Sequence, residues 1–456
     1  MKEKRVKTVF ACGQCGATTP RWMGRCSGCG AWNTLVEERA AKPPRGRAGS
    51  RGRAVRPVAL GDVGGERDVR ISTGMGEFDR VLGGGLVEGS VVLLGGEPGI
   101  GKSTLLLSAL SNLTAAGHAC LYVSAEESAA QVALRARRLG GEGMAALRIL
   151  PTTELDDLEV ALDASARSVV VVDSIQTLRS SALSSAPGSV GQIREVAGRL
   201  VDRAKRDLSS LILVGHVTKD GSLAGPKVLE HLVDTVLSFE ADASQAYRLL
   251  RADKNRFGPS FEVGVFEMAG DGLHEVEDPS ALFLAERPKD ASGSVVLPSA
   301  EGSRALLVEL QALVAPALYG AARRLASGLD GQRLAILLAV LDRKAGVHVL
   351  DQDVFASVAG GARVVERAAD LALAVAIVSS FHDRPLAQGV AVFGEVGLAG
   401  EVRAVPRAEA RVREAAKLGF ERVILPRANM ERSSLGSIQG IELDAVSSVE
   451  EALERI

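Results

Sequence analysis

The stretch Gly96-Glu97-Pro98-Gly99-Ile100-Gly101-Lys102-Ser103-Thr104 decides the fold. It follows the apolar run Val91-Val92-Leu93-Leu94 and precedes Leu105 to Leu113, which holds no Gly or Pro. A buried strand, a glycine-rich turn and a helix are therefore expected in that order, the context a phosphate-binding loop requires. Glycines let the backbone close around an anion with its N–H groups pointing inward. A helix opening near Lys102 aims its positive dipole end at the same point. Lys102 can reach the β- and γ-phosphates of ATP, and Ser103 can ligate Mg²⁺.

From about residue 60 the chain alternates strand-like and helical stretches, which predicts a mainly parallel sheet flanked by helices. The strand Cys120-Leu121-Tyr122-Val123-Ser124 ends in Ala125-Glu126-Glu127. A carboxylate at the end of such a strand can face the γ-phosphate and orient water. Glu126 is the preferred base and Glu127 the runner-up; a solvated helix start is the plainer reading. Ser168-Val169-Val170-Val171-Val172-Asp173-Ser174 is a buried strand with a terminal carboxylate, and Asp173 can hold Mg²⁺ through water. In Leu211-Ile212-Leu213-Val214-Gly215-His216, His216 is either a γ-phosphate sensor or a structural histidine.

At 456 residues the chain has room for about three domains. Its net charge of −2 gives no global sign of a nucleic-acid partner, although local charge can. No apolar run is long enough to span a membrane. Behind Met1-Lys2-Glu3-Lys4-Arg5 there is no apolar stretch, so no secretory signal is read and the cytoplasm is the expected compartment.

Four of the five cysteines, Cys12, Cys15, Cys26 and Cys29, form two C-x-x-C pairs about ten residues apart. Four thiolates in tetrahedral array suit a closed structural Zn²⁺ site. So small a segment cannot fold on apolar burial alone, and the metal would supply the folding energy. Trp22 and Trp32 flank the second pair. Packing in a small core is expected for them, with stacking on nucleic-acid bases as the alternative. Cys120 reads as a core residue. Residues 37 to 57 are Pro, Gly and Arg rich, and serve as a solvated tether or as an electrostatic contact with phosphates.

Lys254-Asn255-Arg256-Phe257-Gly258 follows the core, and His216-Val217-Thr218-Lys219-Asp220-Gly221 lies within it. With the four-cysteine ribbon and the phosphate loop, these segments resemble the RecA-type ATPases of the bacterial RadA (Sms) subfamily. The resemblance covers essentially the whole chain. It implies a ring, a hexamer, in which Lys254 and Arg256 cross a subunit interface to a neighbour's γ-phosphate, as arginine fingers do. It also implies single-stranded and branched DNA as partners, with a RecA-type recombinase as a protein partner. Thr177 to Gly191, which carries Arg179, and Lys219 to His231, with Lys219, Gly221, Gly225 and Lys227, stand where related proteins hold single-stranded DNA.

After Pro279 the pattern changes. Ser294 to Pro298, Ala305 to Leu310 and Val390 to Val396 read as strands, and Gly331 to Leu341 and Ala368 to Ser380 as helices. This part resembles the proteolytic domain of Lon proteases, a mixed α/β fold. Peptide cleavage there needs a serine activated by a lysine. The corresponding positions fall on Ala368 and near Glu409, so the domain is expected to be a proteolytically inactive scaffold. Arg363, Arg367, Arg384, Arg403, Arg407, Arg411 and Arg413 form either a DNA-facing surface or a solvated face.

The expected chain is α/β: a zinc ribbon (1–36), a basic linker (37–57), a RecA-like P-loop ATPase domain (58–285) and a Lon-protease-like domain (286–456). By resemblance it is a DNA-dependent ATPase that moves along DNA and branch-migrates recombination intermediates. A non-translocating recombination mediator is the alternative, and an ATP-dependent protease the remote third.

Overall fold

The computed structural model describes residues 8–12, 17–28, 30–39, 59, 70–163, 166–183, 185–216, 228–241, 247–288, 290–317, 321–361, 363–432, 435 and 438–456. Its contacts divide the chain into two units, Met1–Glu240 with Arg248–Glu275, and Ala241–Tyr247 with Val276–Ile456.

Near the N-terminus Thr8–Cys12 pairs antiparallel with Thr18–Thr19 on one side and with Leu35–Arg39 on the other. The last strand runs to Arg39, past residue 36. Cys12, Cys26 and Leu35 form a small buried cluster, with Phe10 and Ala17 packed against it. The two tryptophans do not join it: Trp22 is 56% exposed and Trp32 70%. An indole buries about 150–250 Å² when enclosed, and the described cluster of Cys12, Cys26, Leu35, Phe10 and Ala17 leaves both rings outside it. The expectation of core packing for this pair is therefore overturned.

The central sheet has nine strands among the described residues. Their order is Gly272–Glu275, Val263–Ala269, Tyr247–Asn255, Thr235–Ala241, Val91–Gly96, Ser210–His216, Val169–Asp173, Cys120–Ser124 and Arg148–Pro151. From Thr235–Ala241 to Arg148–Pro151 every pairing is parallel. Parallel strands are covered on both faces, which explains their unbroken Val and Leu runs. Val92 and Leu94 share one core with Leu105, Leu106 and Leu110 of the helix Lys102–Ala115. Val91 and Leu93 share the other with Ile193, Val196 and Leu200 of the helix Val190–Asp207. Cys120 is buried in the first core, as expected.

In the second unit, among the described residues, a seven-stranded mixed sheet runs in the order Arg324–Ser327, Gln352–Val358, Arg304–Pro316, Ser294–Glu301, Val390–Val392, Arg422–Pro426 and Glu442–Val446. The helix Ala369–Phe381 is buried from Ala369 to Ser379. The expected strand Val390–Val396 is broken. Gly394 turns to the helix start, its N–H donating to Ala368 O at 2.8 Å and its carbonyl accepting from Leu371 N–H at 3.0 Å. Glu395–Val396 then pairs with Val402–Arg403 instead.

Among the described residues, no helix is long and apolar enough to cross a membrane.

Candidate nucleotide site

Four parallel strands end side by side. Gly96 is in register with His216, and Ser124 with Asp173. Loops at the carboxyl ends of such strands form the natural ligand crevice of an open α/β sheet. A cavity of about 340 Å³ lies there, lined by Gly99, Lys102, Ser103, Glu126, Glu127, Arg135, Arg138 and Asp173 among others. Larger cavities exist in the second unit, but chemistry rather than volume marks this one.

Gly101 sets the turn into the helix with φ of 114°, which favours glycine, and a β-carbon there would lie 2.7 Å from Met268 Cε. Arg248 Nε donates to Ile100 O at 3.1 Å, fixing the loop from a neighbouring strand. Lys102 Nζ donates to Gly96 O at 2.8 Å and to Glu97 O at 2.9 Å. An ammonium has three donors, so one is left for a phosphate oxygen. Burial pulls the Lys102 amine below the ordinary lysine range, and the Asp173 and Glu126 carboxylates push it back up.

Asp173 collects two hydroxyl donors on one oxygen. Ser103 Oγ reaches Oδ2 at 2.6 Å and Tyr122 OH reaches it at 2.5 Å. Burial, reinforced by the Asp173 charge, holds the Tyr122 phenol far above its ordinary value, so it stays a neutral donor. Ser103 and Asp173 offer hard oxygens side by side at the phosphate loop, a donor set that fits Mg²⁺ with its waters.

The two glutamates part company. Glu126 is exposed, lines the cavity and accepts from Ser174 Oγ. Glu127 is paired with Arg135 Nη2 at 2.6 Å. Burial acts against the Arg135 charge, but the Glu127 partner outweighs it and the guanidinium is held more firmly protonated. Tyr122, Arg135 and Arg248 were missed from sequence, where a Tyr inside a strand or an Arg inside a helix carries no motif. His216 lies beside Gly96 by backbone register, with its side chain outside the described set.

Lys254 and Arg256 stand at the other end of the sheet. Arg256 Nη1 pairs with Asp234 Oδ1 at 3.2 Å, and Asp234 Oδ2 accepts from Val91 N–H at 3.1 Å. Val91 starts the strand that Gly96 ends, so the separation is roughly 16 Å at about 3.3 Å per residue. Arg256 therefore cannot serve its own phosphate loop. Its side chain is half exposed. Lys254 Nζ donates to Glu230 O and Val233 O at 2.6 and 2.7 Å. Asn255 Nδ2 donates to Val81 O and Leu82 O, the carbonyl end of the helix Gly76–Leu82. A β-carbon on Gly258 would lie 2.8 Å from Gly83 Cα, so only glycine fits there.

Of the expected DNA loops, Lys219, Gly221, Gly225 and Lys227 lie outside the described residues. In the other, Gln192 Nε2 donates to Ser180, Leu183 and Ser185 carbonyls, and Arg179 Nε donates to Glu154 Oε1 at 2.5 Å. This loop is tied down, and Arg179 is already neutralised.

In the second unit Arg411 is fully buried. It pairs with Glu366 at 2.5 Å, and its guanidinium lies 5.5 Å from the Phe393 ring. It is a core ion pair and faces no DNA, which corrects the expectation for this residue. Arg403 and Arg413 are paired with Glu401 and Glu409, while Arg363, Arg367, Arg384 and Arg407 are exposed. Ala368 is buried at the helix start. Ser379 Oγ donates to Arg384 O and accepts from Gly293 N–H. Lys417 sits 3.8 Å from Asp278.

Cys12 and Cys26 are buried together, a placement that fits thiolates converging on Zn²⁺. Cys12 Sγ lies 3.1 Å from Thr34 Oγ1, and Cys26 Sγ accepts from Gly28 N–H at 3.3 Å. Cys15 and Cys29 lie outside the described residues.

Three families match segments of this chain: the KaiC ATPase over residues 71–145, the rubredoxin metal-binding domain over 10–37, and subunit ChlI of Mg-chelatase over 344–429. Whole-chain relatives are more specific. The DNA repair protein RadA of Bacillus subtilis is 47% identical over 453 residues, covering 98% of each chain. The RadA of Pseudomonas aeruginosa is 50% identical over 454 residues and 99% of each chain. That of Escherichia coli is 49% identical over 458 residues, covering 99% of this chain and 98% of its own.

The chain belongs to the RadA family of DNA repair proteins.

Its RadA architecture is thus a zinc ribbon, a RecA-like ATPase domain and a Lon-protease-like α/β domain containing the ChlI match. The phosphate loop lies inside the KaiC match and all four ribbon cysteines inside the rubredoxin match. The cavity described above is lined by residues of that ATPase domain.

Proposed function

We propose that this protein is a cytoplasmic, ring-forming DNA translocase, a hexamer, that hydrolyses ATP to branch-migrate recombination intermediates during repair. Lys102 neutralises the γ-phosphate, and the loop amides between Gly96 and Thr104 hold the β-phosphate. Ser103 and Asp173 would hold Mg²⁺, which would supply neutralising charge to the phosphates. Glu126 orients and deprotonates the attacking water, and His216 senses the γ-phosphate. Arg256 acts in trans on a neighbour's nucleotide, with Lys254 beside it. The observation that carries the trans role is the placement of Arg256 at the foot of the strand whose top carries Lys102. A site whose finger lies at the far end of the sheet is completed by a second copy.

Single-stranded and branched DNA are the proposed substrates, and a RecA-type recombinase the proposed partner. The second unit is a scaffold for the ring and does not cleave peptides, because Ala368 and Glu409 stand where a nucleophile and its lysine are needed.

The test is strand displacement on a branched substrate, run beside ATP turnover with and without single-stranded DNA. DNA-stimulated turnover with unwinding, both absent in Lys102→Ala, supports the proposal. Stimulated turnover with no displacement on any branched substrate would reduce the protein to an ATP-switched mediator.

A further inference from the structure

Both of the chain's tryptophans lie in the N-terminal ribbon, and both are exposed. Large aromatic side chains are usually covered, so two bare indoles in one small module call for an occupant. They border one spot. A β-carbon on Gly24 would meet Trp32 Cζ3 at 3.6 Å and Trp22 Cη2 at 3.9 Å, so both rings lie against Gly24. The hairpin holds them there: Arg25 bridges to Trp32, and Asn33 N–H donates to Gly24 O at 2.8 Å. Arg25 Nε is fixed to Gly30 O at 2.9 Å, and its guanidinium carbon lies 5.9 Å from the Trp32 ring centroid. Arg21 is exposed beside Trp22.

Charge identifies the occupant. Residues 1–57 carry thirteen Lys and Arg against three Glu and no Asp, in a chain whose net charge is −2. A strongly basic segment in an acidic protein is matched to phosphates. Bare aromatic faces beside guanidinium groups are matched to unpaired bases, since every base has a face to stack and a duplex hides it.

We propose that Trp22 and Trp32 form a stacking platform for single-stranded DNA, with Arg21 and Arg25 on its phosphates. The platform rests on the proposed action on DNA and adds a contact point separate from the ATPase unit's loops. Stacking reads no hydrogen-bond pattern, so the contact is tolerant of sequence.

These are the only tryptophans in the chain, so tryptophan emission of the unmodified full-length protein reports on this site alone. Titration with oligothymidylate should quench it saturably, and a duplex of equal length should not. Trp22→Ala and Trp32→Ala should each weaken oligothymidylate binding about tenfold. The slope of affinity against salt should stay unchanged, whereas Arg25→Gln should lower it. Trp32→Phe should recover part of the loss. Basal ATP turnover without DNA and zinc content should be unaffected in all of these. Binding of oligothymidylate without quenching, at equal affinity in the double alanine variant, would overturn the platform and leave the indoles to a protein surface. Failure of the wild type to bind single-stranded DNA at all would bring down the proposed function as well.

Discussion

Tyr122 OH donates to Asp173 Oδ2 at 2.5 Å, on the same oxygen that accepts from Ser103 at 2.6 Å. A buried phenol thus aims the carboxylate proposed to hold Mg²⁺. Removing the hydroxyl leaves the ring in the core and takes away one charge-assisted hydrogen bond. Tyr122→Phe should raise the Mg²⁺ concentration needed for tight nucleotide binding about tenfold. Metal-free nucleotide binding and thermal stability should be nearly unchanged. Titration of Mg²⁺ against a fluorescent nucleotide measures this, and an unshifted curve would make Tyr122 a core residue only.

The adjacent glutamates should separate by kinetics. Glu126→Gln should lower turnover by roughly 10²–10⁴ and leave ATP binding intact, as expected for a lost general base. Glu127→Gln breaks the Arg135 pair instead and should cost far less turnover. A larger loss from Glu127→Gln would reverse the assignment.

Much of the candidate site's geometry was legible in the sequence because a strand–turn–helix motif is local. A strand, a glycine-rich turn and a helix put backbone amides, Lys102 and Ser103 in place within nine residues. Asp173 and Glu126 were legible because each ends a β-branched or apolar run. Tyr122 and Arg135 were not, since their roles depend on which strand lies beside which helix. The tryptophans were misread because residue type alone says nothing about whether a core is large enough to enclose it. Arg411 was grouped with surface arginines for a similar reason. Only the packed structure reveals Glu366 and Phe393 around it.

That burial has a consequence for stability. Arg411→Ala leaves the Glu366 carboxylate only the Ser299 Oγ and Ala300 N–H donors and opens a cavity beside Phe393, and should destabilise the second unit by about 2–4 kcal/mol. Thermal or denaturant unfolding monitors it. Replacing both partners by apolar residues of similar volume should cost less than the single change. Equal stability of Arg411→Ala and wild type would contradict the buried pair.

Zinc should be present at about one ion per chain by elemental analysis, and be lost when Cys26 and Cys29 are both changed to alanine. Full retention after that double change would count against the four-thiolate site.

The central claim is that each nucleotide site is shared between two copies of the chain. Arg256→Ala protein mixed with Glu126→Gln protein tests it most directly. Each alone should bind ATP and turn over very slowly, since a finger acts on transition-state charge. In mixed rings some interfaces pair an intact Glu126 with an intact Arg256, and part of the ATPase activity should return. Titrating each variant into wild type shows whether sites fire independently, by a linear decline, or together, by a steep one. The account predicts recovered turnover in the mixture. No recovery, in rings shown to mix and with a linear decline on titration, would contradict it.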